Sequence, residues 1–107
     1  MKIITLISGV GALLIALNAT AGDIAAGKQK SQACAACHGE GGHSTNPQFP
    51  KLAGQLEDYL THTLKAYHNG ARKNAIMQGM AAALSESDIE DLAAYFHSEP
   101  GELIVKQ

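Results

Sequence analysis

Two hydrophobic patterns divide the chain. From Ile3 to Leu17 the residues are almost uniformly apolar, interrupted by Thr5, Ser8, Gly9 and Gly11. From Asp23 onward the apolar residues instead recur three and four positions apart, the repeat of an amphipathic helix. Asp23 to Ala33 reads as a first helix: Asp23 can cap it, and Ala25, Ala26, Lys28, Gln29, Lys30 and Gln32 are good helix formers. Gly27 interrupts that run. A glycine inside a helix costs up to about 1 kcal/mol relative to alanine, so close contact with another helix would account for it, as would plain tolerance. Gly39 to Pro50 is rich in Gly, Ser, Thr, Asn and Pro and reads as loop. Leu56, Tyr59, Leu60, Thr63, Leu64 and Tyr67 then mark a second helix with a glycine stop at Asn69-Gly70. Residues 71–84 are mixed and carry Met77 and Met80. Ser85 and Asp88 form a capping-box pair opening the last helix, whose buried stripe is Ile89, Leu92, Ala93 and Phe96 and whose end is Pro100-Gly101. Strand alternation, internal repeats and low-complexity tracts are all missing from the pattern, so the expected class is all-α.

The first pattern reads as an export signal. Lys2 supplies a basic start, the apolar stretch follows, and Ala19-Thr20-Ala21 gives the small-x-small pattern of a cleavage site. The rival is an uncleaved anchor, but the interrupted stretch is shorter than the roughly 20 residues a spanning helix needs. The expectation is therefore a cleaved signal peptide over residues 1–21, a single domain over 22–107, and a periplasmic location.

Composition then changes the picture of the core. The chain has no Trp, two Phe and three Tyr, few large aromatics for a small domain that must stand alone. Something bulky and apolar that the amino acids do not supply is expected inside it. A net charge of −2 gives no basic stripe for nucleic acid. The charge is uneven, positive over residues 51–80 and strongly negative over 81–107. Solvated helix faces are the expected explanation of that pattern, ahead of a docking surface.

The two cysteines of the chain complete Cys34-Ala35-Ala36-Cys37-His38. Cys-x-x-Cys-His is the signature of covalent haem attachment. Two thiols separated by two residues can reach the two vinyl groups of one porphyrin, and the adjacent histidine can present a ring nitrogen to the iron. One haem c per chain would also fill the small core. Three other readings use the same residues. A thioredoxin-like redox pair normally sits beside a strand–helix unit. A structural disulfide suits an exported chain, but closing so short a ring stabilises little. Zinc wants four ligands, which His38 and His43 could complete.

With these residues in hand, the chain resembles class I c-type cytochromes, and most of all their short bacterial branch. That branch occurs as single-haem periplasmic carriers and as each half of two-haem cytochromes c. The likeness covers nearly all of residues 22–107. It runs through Gly22-Asp23-Ile24-Ala25-Ala26-Gly27-Lys28, Phe49-Pro50-Lys51-Leu52-Ala53-Gly54-Gln55, Gly70-Ala71-Arg72, Met77-Gln78-Gly79-Met80-Ala81, Leu84-Ser85-Glu86-Ser87-Asp88-Ile89 and Leu92-Ala93-Ala94-Tyr95-Phe96.

The resemblance implies a cytochrome c fold, with four to five helices around one haem and the terminal helices crossing at Gly27 and Tyr95. It implies Cys34 and Cys37 as thioether anchors, His38 as one axial ligand, and Pro50 as the residue whose carbonyl receives the other ring N–H of that histidine. Either Met77 or Met80 could supply a sixth, sulfur ligand. The family pattern selects Met77, which precedes Leu84 at the start of the last helix by seven positions. The alternative for both methionines is flexible core filling. The first helix lacks the aromatic found at the crossing in longer relatives, and Lys30 and Ser31 stand there.

Among the other histidines, His62, His68 and His97 are expected at the surface, while His43 is the one placed to misligate. The implied function is one-electron transfer, without enzymatic activity. The expected partners are redox proteins: a membrane quinol-oxidising complex, a terminal oxidase or a periplasmic reductase. The domain is expected as a monomer or weak dimer. A haem enzyme or gas sensor, and an electron-transfer subunit of a larger oxidoreductase, are the alternatives.

Overall fold

The computed structural model describes residues 3–5, 9–12 and 22–103. Most of the expected signal peptide, including the cleavage position at Ala21, therefore lies outside the described residues. Among the described residues, no helix is long and apolar enough to cross a membrane. Five α-helices follow one another among the described residues: α1 (Ile24–Lys30), α2 (Gln32–His38), α3 (Glu57–Asn69), α4 (Ala75–Ala81) and α5 (Glu86–Ser98). No strand occurs among the described residues, as the all-α expectation requires.

The first helix begins where the sequence places it. The Asp23 carboxylate accepts from the Ala26 N–H at 3.0 Å, satisfying one of the donors left free at a helix start. The helix then breaks at Ser31, whose hydroxyl donates to the Lys28 carbonyl at 2.6 Å. It resumes as α2 and runs past Ala33 to His38. The helical run thus extends five residues beyond the end expected at Ala33. Ala33, Ala35 and Ala36 are strong helix formers, and they continue the helix through both cysteines.

Gly70, in the left-handed conformation, ends α3 as expected. Its stripe is only partly inward: Leu60 and Thr63 are buried, whereas Leu56 and Tyr59 stand about half exposed. Leu56 precedes the first helical turn, so the helical repeat does not constrain its direction. The capping box of α5 forms in full: the Asp88 N–H donates to the Ser85 hydroxyl at 3.1 Å and the Ser85 N–H to the Asp88 carboxylate at 2.9 Å. Ile89, Leu92, Ala93 and Phe96 are buried as read, joined by Ala94 and Tyr95. Leu60, Leu92, Ala93, Tyr95 and Phe96 form the core, with Cys34, Leu52, Leu64 and Leu84 packed on it.

Helices α1 and α5 cross at Gly27. A Cβ at this position would lie 2.0 Å from the Asp91 carbonyl oxygen and 2.7 Å from the Tyr95 Cβ, so the two helices meet backbone to backbone. Close contact, not tolerance, explains the glycine. Lys30 takes the place of a crossing aromatic, its ammonium lying 2.8 Å from Asp88 and 2.6 Å from Asp91. Asp91 also accepts the Asp23 N–H at 2.8 Å. An ionic clasp therefore joins the start of the domain to its last helix.

The clasp makes stability depend on pH. The Lys30 hydrogen bond, helped by Ser85, holds Asp88 down from 3.8 to about 2. Lys30 and the Asp23 N–H likewise lower Asp91, and Asp88 and Asp91 together raise Lys30 above 10.5. Depressed carboxylates contribute stability above their unfolded values and lose it as pH falls through the folded ones; the raised ammonium loses its contribution as pH rises past 10.5. Thermal melts should show wild type losing stability more steeply than Lys30→Met between about pH 4 and 2. Parallel acid curves would show that the clasp contributes nothing.

Candidate haem-binding site

Cys34 and Cys37 lie three residues apart on α2, where helical geometry turns them toward the same side. Both are free thiols. Cys34 rests on the core and Cys37 is exposed. Burial first, and Cys37 second, push the Cys34 thiol up, opposite to the lowering that activates a reactive thiolate. That environment does not suit a nucleophilic redox pair. It does suit one anchor at the core and another at its rim.

His38 closes the same helical turn and is 7 % exposed. Its Nδ1 lies 2.8 Å from the Pro50 carbonyl oxygen. A carbonyl can only accept, so Nδ1 carries the proton, which in the neutral ring leaves the lone pair on Nε2. The Phe49 ring stands edge-on to the imidazole, with centroids 6.4 Å apart and planes at 66°. Together they fix both the tautomer and the tilt of the ring.

The Phe49-Pro50 loop is held in place by the turn that follows α2. The Gly42 carbonyl accepts from the N–H groups of Leu52 at 2.9 Å and Ala53 at 3.2 Å. Gly42 has φ 79°, and a Cβ there would come within 2.8 Å of the Leu52 Cβ and 2.9 Å of the Ala53 nitrogen. Only glycine satisfies both demands. Sequence reading placed residues 39–50 in a loop and missed this contact; the adjacent pair Gly41-Gly42 was its one visible signal.

Thus Cys34, Cys37, His38 and Pro50 come together. Met77 and Met80 are presented apart from them on α4, which packs on α3. The Asn74 side chain caps α4 by accepting the Met77 N–H at 3.0 Å. Met77 is partly buried, whereas Met80 is 43 % exposed and lies one turn from the exposed Ile76.

The other histidines are at the surface. His62 is exposed. His68 donates from Nδ1 to the Ala81 carbonyl at 2.9 Å, and His97 from Nδ1 to the Gln55 carbonyl at 2.8 Å. His43 is exposed, with Nε2 3.4 Å from a Glu99 oxygen. Among the described residues, no three His, Cys, Asp or Glu side chains converge as a metal cluster, so a zinc site finds no support. Two free thiols on one helical side, beside an imidazole whose Nδ1 is held by the Pro50 carbonyl, fit a covalently attached haem.

Comparison with known proteins points to the same cofactor. The cytochrome c family model matches residues 24–99. Cytochrome c-554(548) of Halomonas halodenitrificans is 48 % identical over 82 residues, covering 74 % of this chain and 99 % of that protein. The thiosulfate dehydrogenase electron acceptor of Thiomonas intermedia is 40 % identical over 98 residues, covering 90 % of this chain and 43 % of that one. The crystal structure of reduced recombinant cytochrome c4 from Pseudomonas stutzeri superposes with a TM-score of 0.73 at 46 % identity, covering 77 % of this chain and 48 % of that chain. This chain therefore spans less than half of each of the latter two. The match over residues 24–99 and to nearly the whole of the Halomonas protein places the chain in the cytochrome c family, a haem-based electron carrier with Cys34 and Cys37 positioned for covalent attachment.

Proposed function

We propose that the mature chain, residues 22–107, is a periplasmic one-electron carrier in which His38 and Met77 are the axial ligands of the haem. The observation that carries this reading is the His38 to Pro50 hydrogen bond of 2.8 Å, which leaves Nε2 free on the helix that bears both thiols. Bound here, the haem supplies a ferric–ferrous couple that takes up and releases one electron.

The residues of the chain do the rest. Pro50 holds the His38 ring and increases its basicity. A thioether from Met77 would favour the reduced state and raise the potential. With His38 and Met77 both holding the iron, no site would be left on it for substrate, so the reading is carrier and not enzyme. The partners are redox proteins such as a quinol-oxidising membrane complex, a terminal oxidase or a periplasmic reductase, met in small, short-lived encounters. Two cations of the basic middle segment are already paired, Lys51 with Glu102 and Lys65 with Glu86. Arg72, stacked 4.9 Å from the Tyr67 ring centroid, and Lys73 are left to face an acidic partner.

A second reading has one specific support. The Thiomonas relative is named an electron acceptor of thiosulfate dehydrogenase, which fits the alternative of an electron-transfer partner dedicated to a larger oxidoreductase.

Optical spectra test the ligand set. Met77→Ala should abolish the far-red sulfur-to-iron band of the oxidised protein and lower its potential, whereas Met80→Ala should leave both nearly unchanged. Loss of the band in Met80→Ala alone would assign the sulfur to Met80.

A further inference from the structure

The short helix that carries both methionines is held at its end by a side chain of another helix. Helix α4 has seven residues, too few to be stable without outside support. Its start is fixed locally by Asn74. Its last residue, Ala81, is fully buried, and the Ala81 carbonyl accepts two hydrogen bonds. One comes from the Leu84 N–H at 3.1 Å, in the turn leading to α5. The other comes from His68 Nδ1 at 2.9 Å, and His68 is the penultimate residue of α3. Among the described residues, this is the one hydrogen bond that joins α4 to another helix.

We propose that His68 is a positioning residue for the sulfur ligand. Its imidazole closes the free C-terminal end of α4, one helical turn beyond Met77. It thereby restrains the helix against the swing that would withdraw the thioether from iron. The carbonyl acceptor requires a donor at Nδ1, so an amide can replace the imidazole and an aliphatic side chain cannot. The inference rests on the reading that a methionine of α4 is the axial ligand, and it holds for either Met77 or Met80.

Imidazole added to the oxidised holoprotein competes with the methionine, so its apparent affinity reports how firmly the sulfur is held. His68→Leu should bind imidazole roughly three- to tenfold more tightly than wild type, the scale of one lost hydrogen bond. His68→Gln, which keeps an N–H donor, should stay near wild type. A merely structural histidine would lower the unfolding midpoint without changing imidazole affinity. Unchanged affinity in His68→Leu overturns the inference, whatever happens to the midpoint, and so does a gain in affinity that His68→Gln shares in full. Met77→Ala and Met80→Ala, measured in parallel, separate the two claims. If one of them removes the far-red band while His68→Leu binds imidazole as wild type does, only the role of His68 falls. If the band survives in both, the ligand reading falls with it.

Discussion

Gly27→Ala is expected to destabilise the holoprotein by about 1–3 kcal/mol, the usual cost of forcing atoms into a packed contact. For a domain of this size that is a fall in melting temperature of roughly 5–20 °C. The sign is informative, because in an exposed helix the same change stabilises by about 1 kcal/mol. Here the added carbon would sit 2.0 Å from the Asp91 carbonyl oxygen. The neighbour is helix backbone, so it cannot turn aside as the end of a flexible side chain could. Relief requires α1 and α5 to separate, which also stretches the Lys30 clasp to Asp88 and Asp91. The effect should therefore be less than additive with Lys30→Met, since both loosen one contact. Thermal melts of the single and double variants measure it. A rise in melting temperature for Gly27→Ala would contradict the crossing.

Replacing both Cys34 and Cys37 with alanine is expected to abolish haem retention after denaturation and to leave the chain largely unfolded. The second effect follows from the core. Of the nine buried hydrophobic residues among those described, four are alanine, and a core this small supplies at most about 3–5 kcal/mol. Losing the bulky group that both thiols tether removes that margin. The single changes should differ in size. Cys37 is exposed, so Cys37→Ala loses one bond to the haem and little packing. Cys34 rests on the cluster around Leu60, Leu92 and Phe96, so Cys34→Ala loses the bond and a buried contact as well. Helical circular dichroism and haem staining on denaturing gels read the two effects separately. Full native helicity in the double variant would show that the chain needs no covalent haem to fold.

What could be read in the sequence was whatever depends on neighbours along the chain. The caps at Asp23 and Ser85, the stop at Gly70 and the stripe on α5 are local, and each is found where the residues place it. The attachment motif was legible as chemistry, because its five residues are consecutive. Contacts between distant segments were not legible from pattern alone. Nothing near Gly42 shows that its carbonyl holds the Pro50 loop, and nothing near His68 shows that it closes α4, thirteen residues further on. Gly27 lies between: its helical position marks it as unusual, but only the α5 backbone decides that it cannot be larger. The half-exposed Leu56 and Tyr59 show the limit of periodicity, which gives a helix a face without telling what lies against it.

The central claim is that one haem is bonded to both thiols of α2, and the mass of the unfolded wild-type chain tests it most directly. The purified protein is denatured, treated with a thiol-alkylating reagent and weighed. The account predicts a polypeptide heavier by one haem, with neither Cys34 nor Cys37 alkylated. A chain at the mass of its amino acids, with both cysteines alkylated, would contradict it.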